Sequence, residues 1–275
     1  MMSPLSDWPL TARRNIIGVF TDIDDTLTTD GAITPDALRA LGDLKAAGLD
    51  VIAITGRPVG WTEQVAFAKY QTWPVDAVVA ENGAVGIFRS NREISNMPDE
   101  HKKLSKIYQQ DSATRSGNYA RMQHVAQRVL REVPGAMLSQ DSVGRETDIA
   151  IDHSEFSHLS AGHIQQVLEI MRAEGMNATV SSIHINGWFG DHNKLSGARW
   201  IVRELFARKL EAEMDRWVYV GDSSNDALMF EHFAHSVGVA NIRRFEAELA
   251  HKPRYITQNE RGAGFAEVAK AILGA

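Results

Sequence analysis

The sequence predicts an α/β protein: a doubly wound parallel sheet with a Rossmann-like core, interrupted by an inserted α+β domain. Three observations predict it. Short apolar runs alternate with helical patterns near the N-terminus, the same alternation returns near the C-terminus, and the stretch between them turns polar and helix-rich.

The elements follow in order. Residues 16–21 (IIGVFT) form an apolar run of β-branched and aromatic side chains, which marks a buried strand. Thr34-Pro35-Asp36 starts a helix, with Thr34 as N-cap and Pro35 at its first position; Ala37, Leu38, Leu41 and Leu44 repeat at helical spacing, and Gly48 stands where a C-cap belongs. Residues 50–54 (DVIAI) predict a second strand, a helix follows around 60–69, and residues 76–80 (DAVVA) predict a third strand. Such βαβαβ order needs parallel strands and crossover helices. The later half repeats it, with a helix over 194–209, a strand at 217–221 (WVYVG), a helix over 224–233 and a strand at 235–240 (HSVGVA). A short helix over 244–251, a short strand at 255–257 and a helix over 263–273 complete it. In the middle, 99–133 is polar and helix-rich, and 147–152 (TDIAID) alternates as a strand. Residues 160–174 present Ile164, Val167, Leu168 and Met171 on one helical face, and 178–187 reads as a strand or hairpin. The expected division is a discontinuous core, 1–85 and 188–275, with the inserted domain at 86–187.

Composition narrows the function. Hydrophobic residues are 44% and charged residues 23% of the 275, ordinary for a globular chain. The net charge of -6 argues against a nucleic-acid or membrane-surface partner, which calls for a basic patch. With no cysteine, disulfides, thiolate metal sites and cysteine nucleophiles are excluded. The N-terminal residues lack the basic-then-apolar order of a secretory signal, and no apolar run approaches the ~20 residues needed to span a bilayer. The expected compartment is the cytoplasm.

An open parallel sheet binds ligands at the carboxyl ends of its strands, near a topological switch. Four polar clusters sit at such ends: Asp22, Asp24 and Asp25; Thr55-Gly56-Arg57; Glu81-Asn82-Gly83; and Gly221-Asp222-Ser223-Ser224-Asn225-Asp226. Singly, each has an ordinary explanation as a turn or an N-cap. Together they converge on one edge. Carboxylates gathered there repel unless a cation joins them, and all-oxygen ligation suits a hard ion such as Mg²⁺.

These residues resemble the haloacid dehalogenase superfamily. DIDDT (22–26) resembles its DxDxT nucleophile motif, Thr55 in ITGRP its second motif, Lys194 its third-motif lysine, and GDSSND (221–226) its GDxxND motif. The motifs occur in family order. Asp25 stands where many relatives have glycine, and Lys194 lies in NKLSGA instead of a KG pair, with Lys209 the less suitable alternative. The insertion after ENGA (81–84) is similar to a C2-type cap, as in Cof-type and sucrose-phosphate-phosphatase-like enzymes.

The resemblance implies a HAD-like core with a C2-type cap, and a Mg²⁺-dependent phosphatase acting on a small phosphate ester through an aspartyl-phosphate. Asp22 is then the nucleophile and Asp24 the acid and base. Thr55 binds phosphoryl oxygens and Lys194 places a charge beside Asp22. Mg²⁺ is held by Asp22, the carbonyl of Asp24 and Asp222, with Asn225 and Asp226 behind them. Expected substrate contacts are Gly56, Arg57, Asn82, His184, Asn186 and Trp188. His184 and Asn186 share a strand face. Arg57 is placed either to contact substrate or to hold a carboxylate, Trp188 either to stack on a sugar or to pack the cap. Glu81 is expected to face the pocket with Asn82. Oligomeric state is not legible. The alternatives are a phosphomannomutase-like phosphomutase, a phosphate-binding signalling module and a GDS-type serine esterase.

Overall fold

The structure, a computed structural model, describes residues 2–69, 71–89 and 103–275. Its centre is a nine-stranded sheet in the order Ser3–Pro4, Tyr255–Ile256, His235–Gly238, Trp217–Gly221, Gly18–Thr21, Asp50–Ile54, Ala77–Ala80, Val85–Arg89, Leu104–Tyr108. The first seven are mutually parallel; the last two pair antiparallel. The first long strand, Gly18–Thr21, has the Asp50–Ile54 strand on one side and the Trp217–Gly221 strand on the other. The chain thus winds outward from it in both directions, and the switch point lies at its carboxyl end.

The apolar runs are continuous because both faces of the sheet are buried. Val19, Val51, Ala53, Val218 and Val220 face one core cluster; Phe20, Ile52, Ile54, Trp217 and Tyr219 face the other. Helices Pro35–Ala46 and Arg261–Leu273 cover the first face, and helix Lys194–Phe206 covers the second. The expected start at Thr34 is found: its hydroxyl caps the N–H of Ala37 at 3.4 Å, and Gly48 follows the helix with φ +83°.

A separate four-stranded antiparallel sheet has the order Met137–Leu138, Ile149–Asp152, His184–Trp188, Asn177–Val180. Helices Ser112–Glu132 and Ala161–Ala173 pack against it around Val125, Val129, Ile151, Val167, Met171 and Ile185. Residues 178–187 therefore resolve as two strands of a hairpin.

Some elements differ from expectation. Strands Val85–Arg89 and Leu104–Tyr108 extend the large sheet, although the sequence reading assigns 86–187 wholly to the insertion. LSKIY mixes polar and apolar residues because it is the sheet's edge strand. Residues 99–102 of the expected helical stretch lie outside the described residues. Residues 240–245 form a 3-10 turn, earlier than the expected helix at 244–251. The expected helix at 224–233 is a 3-10 turn, Ser224–Asp226, followed by a short helix, Ala227–His232.

Candidate active site

Register brings the first carboxylates together. The Trp217–Gly221 and Gly18–Thr21 strands pair Val220 with Thr21, and the N–H of Asp22 donates to the Val220 carbonyl at 2.8 Å. Asp22 and Asp222 thus leave adjacent strands side by side. Gly221 lets Asp226 fold back beneath them, since a Cβ there would lie 2.5 Å from Asp226 Oδ2. Carboxylate oxygens of Asp22, Asp222 and Asp226 all fall within 4.8 Å of one another, and all three residues are buried.

Lys194 answers this charge. It is the first residue of helix Lys194–Phe206, whose N-cap is Asn193 in a reciprocal capping box with Ser196. Its ammonium donates to Asp22 Oδ1 at 2.6 Å and to Asp226 Oδ1 at 2.7 Å. Two glycines permit the approach: a Cβ on Gly83, at φ +111°, would lie 2.2 Å from the Asn193 carbonyl oxygen, and one on Gly197 would lie 2.7 Å from Gly83 Cα. Burial alone would lower the lysine's pKa, but Asp22 and Asp226 outweigh it and push it up. Lys209, the alternative lysine, precedes a 3-10 turn and has no part in this cluster.

The three aspartates are not alike. Both oxygens of Asp226 are occupied: Oδ1 by Lys194 and the Tyr219 hydroxyl, Oδ2 by the N–H groups of Asp222 at 2.9 Å and Ser223 at 3.2 Å. Asp222 Oδ2 accepts from Asn241 Nδ2 at 3.1 Å, but its Oδ1 is buried with no hydrogen-bond partner among the described residues. Burial raises the Asp22 carboxyl to about 7, Lys194 opposing. Burial, and then the charges of Asp22 and Asp226, raise Asp222 well above the carboxylate range. An orphaned buried carboxylate oxygen beside two more carboxylates fits a divalent cation held by oxygen ligands.

Asp24 points elsewhere. Its carboxylate accepts from Arg57 Nε, 3.0 Å to each oxygen. The same guanidinium reaches Asp141 at 3.1 Å and Glu155 at 2.7 Å on the four-stranded unit. Arg57 therefore holds carboxylates. Asp25, at φ +54°, pairs with Arg261 at 3.0 Å. Thr55 is fully buried and its hydroxyl accepts the Arg57 N–H at 3.0 Å.

The four-stranded unit roofs this edge. A narrow cleft is lined from below by Asp22, Asp24, Gly56, Arg57 and Asn225, and from above by residues 181–184 and Asn186. His184 Nε2 is 2.7 Å from Glu155, and Asn186 donates to Asp148 at 3.2 Å. Asn82, at φ +55°, reaches Asp148 at 3.4 Å. Trp188 lies apart from the cleft; its indole N–H donates to the His192 carbonyl at 2.8 Å and its ring stacks on that imidazole. Glu81 does not face the cleft. It is fully buried and accepts from the N–H of Val59 at 3.1 Å, the N–H of Glu146 at 3.0 Å and the N–H and hydroxyl of Thr147.

Comparison with known proteins is consistent with this edge. Residues 19–132 match the model of the haloacid dehalogenase-like hydrolases. A phosphoglycolate phosphatase of Methanothermobacter thermautotrophicus is 25% identical over 260 residues, covering 93% of this chain and 98% of that protein. A HAD/COF-like hydrolase structure from Plasmodium vivax superposes with TM-score 0.67 at 14% identity, covering 97% of this chain and 99% of that one. The part of the chain that holds Asp22, Asp24, Thr55 and Arg57 is thus similar to the haloacid dehalogenase-like hydrolases. The fold is also similar to that of the sucrose-phosphatase of Synechocystis, with TM-score 0.64 at 16% identity and coverage of 94% and 98%.

Sequence reasoning missed several partners at this edge: Tyr219 and Asn241, which hold Asp226 and Asp222, and Asp141, Arg145, Asp148 and Glu155 above the cleft. Arg145 is buried and donates to the Gly56 carbonyl at 3.0 Å and to Asp148 at 2.8 Å. Burial carries the Asp148 carboxyl to about 7 even against Arg145. Tyr219 alone left a signal, a phenol inside an otherwise apolar buried strand.

Proposed function

We propose that this protein is a Mg²⁺-dependent phosphatase cleaving a small phosphate monoester, of the sugar-phosphate class, through an aspartyl-phosphate on Asp22. The carrying observation is the buried Asp22 carboxylate, flanked by the Lys194 ammonium and by the orphaned oxygen of Asp222. The named relatives that act on phosphate esters support the reading.

In this account Asp22 attacks phosphorus, the bond to the leaving-group oxygen breaks, and Asp24 gives that oxygen its proton. In the second step Asp24 takes a proton from water, the water oxygen attacks phosphorus, and phosphate leaves Asp22. Lys194 stabilises charge gathering on the phosphoryl group, and Thr55 and Gly56 bind its oxygens. Asp22, Asp222 and the main-chain carbonyl of Asp24 would hold Mg²⁺, which when bound offsets repulsion between the carboxylate and the phosphoryl oxygens. Asn225 and Asp226 would brace this set, since the oxygens of Asp226 are already engaged.

Residues 111–188 act as the cap in this account, with Arg57 and Glu81 tying it to the core. The reading extends to a cytoplasmic enzyme, which the lack of cysteine supports; no helix among the described residues is long and apolar enough to cross a membrane. A phosphomutase would need cations for a second phosphoryl group, and Arg57, the one guanidinium among the described residues lining the cleft, is engaged with three carboxylates. The test is phosphate release from sugar phosphates and a chromogenic ester, with Mg²⁺ and with chelator. Release that needs the metal and vanishes in Asp22→Asn is expected. Release that survives either change would rule the reading out.

A further inference from the structure

Two cavities open beside the narrow cleft. One, of about 310 Å³, lies behind Lys194 and borders the Asn177–Val180 strand. The other, of about 400 Å³, is lined from the core by Asp24, Arg57 and Arg261 and from the cap by Glu155, Phe156 and Ile183. Asp24, which has to meet the leaving-group oxygen, lines the second and not the first. We infer that the leaving group occupies this second cavity, that it carries no negative charge, and that it presents an apolar face to Phe156. The inference rests on the phosphatase reading above and names the substrate class of that site.

Charge decides the first property. The cavity gathers four carboxylates, Asp24, Asp25, Asp30 and Glu155, against two guanidiniums. Neither guanidinium is spare. Arg57 holds Asp24, Asp141 and Glu155; Arg261 holds Asp25 at 3.0 Å and Asp30 at 2.9 Å. A carboxylate or second phosphoryl group on the leaving group would enter a space already net negative, with no uncommitted cation among the described residues that line it. The cavity behind Lys194 offers no relief: Asp191 lines it, and its ammonium is shared between Asp22 and Asp226. A hydroxylated leaving group meets no such penalty.

Phe156 decides the second property. It is 61% exposed, on the loop between strand Ile149–Asp152 and helix Ala161–Ala173. That loop is fixed, not slack. The carboxylate of Asp152 accepts the N–H groups of Ser154 at 3.1 Å, Glu155 at 2.9 Å and Phe156 at 2.9 Å. Glu155 is clamped in turn by Arg57 and His184. A phenyl ring held at a cavity wall and left in water adds little to the core. Its available use is stacking against a C–H face, such as one side of a sugar ring.

The test compares matched esters. Glycerol 3-phosphate and 3-phosphoglycerate differ by a carboxylate in place of a hydroxymethyl group; phosphoglycolate is a second anionic probe, and a hexose 6-phosphate supplies a ring. The expected kcat/KM is at least tenfold higher for glycerol 3-phosphate than for either anionic probe. Phe156→Ala should raise KM for the hexose phosphate roughly two- to tenfold, with the effect on KM and not on kcat, and Phe156→Tyr should restore it. Equal or better turnover of the anionic probes, or an unmoved KM in Phe156→Ala, would overturn the inference while phosphate release kept the phosphatase reading intact. No release from any ester by the wild type would instead remove that reading, and the inference with it.

Discussion

Glu81→Ala should loosen the join between the large sheet and the segment at Glu146 and Thr147. The carboxylate lies on the core, in the turn after strand Ala77–Ala80, yet two of the N–H groups it accepts belong to Glu146 and Thr147 above. A third comes from Val59 and a fourth donor is the Thr147 hydroxyl. Burial pushes the Glu81 carboxyl up, and these donors with Arg145 pull it back. Alanine would orphan three amides, each costing about 1–3 kcal/mol when buried and unpaired. Water entering the vacated space would satisfy one or two, leaving about 2–4 kcal/mol. For a chain of this size that is roughly a 4–16 °C fall in thermal midpoint. Calorimetry reads the midpoint, and hydrogen exchange reads the Glu146 and Thr147 amides, which should lose protection first. A midpoint within a degree or two of wild type, with those amides still protected, would refute the reasoning.

Three further outcomes follow. Asn241→Leu deletes the donor to Asp222 Oδ2 and should weaken Mg²⁺ roughly 10- to 100-fold, read by metal titration calorimetry; unchanged affinity would mean Asp222 needs no such orientation. Arg57→Lys should lower both thermal midpoint and kcat/KM nearly as far as Arg57→Ala, because one ammonium cannot span Asp24, Asp141 and Glu155 together; rescue by lysine would show that charge alone suffices. His192 is held by burial at about 4, below its ordinary 6.5. The unfolded chain takes up the proton first, so the stability tied to this histidine is complete above pH 6.5 and lost as pH falls to 4. The loss is up to about 3 kcal/mol. His192→Phe should flatten that part of the pH–stability curve, and an unaltered slope would contradict it.

How much the sequence revealed depended on the range of the interaction. Strands buried on both faces read as apolar runs, and Thr34-Pro35 announced a helix, because those signals are local. The carboxylate convergence was legible because a parallel sheet places all its strand ends on one edge. The edge strand Leu104–Tyr108 was not, since Ser105 and Lys106 break its apolar pattern and its partner is set by pairing. Arg145 is 89 residues from the Gly56 carbonyl it contacts, and Glu155 is 98 from Arg57. In sequence they are ordinary surface charges, and only folding the four-stranded unit against the large sheet distinguishes them. Trp188 and Glu81 show the converse: residue types suited to a pocket, spent on packing and on holding a loop.

The central claim is that Asp22 carries the phosphoryl group. Turnover stopped in acid during the steady state, then reduced with borohydride, converts an acyl phosphate on aspartate to homoserine, and peptide mass spectrometry locates it. The account predicts homoserine at position 22, dependent on substrate and Mg²⁺. Modification at another residue, or none while phosphate is still released, would contradict it.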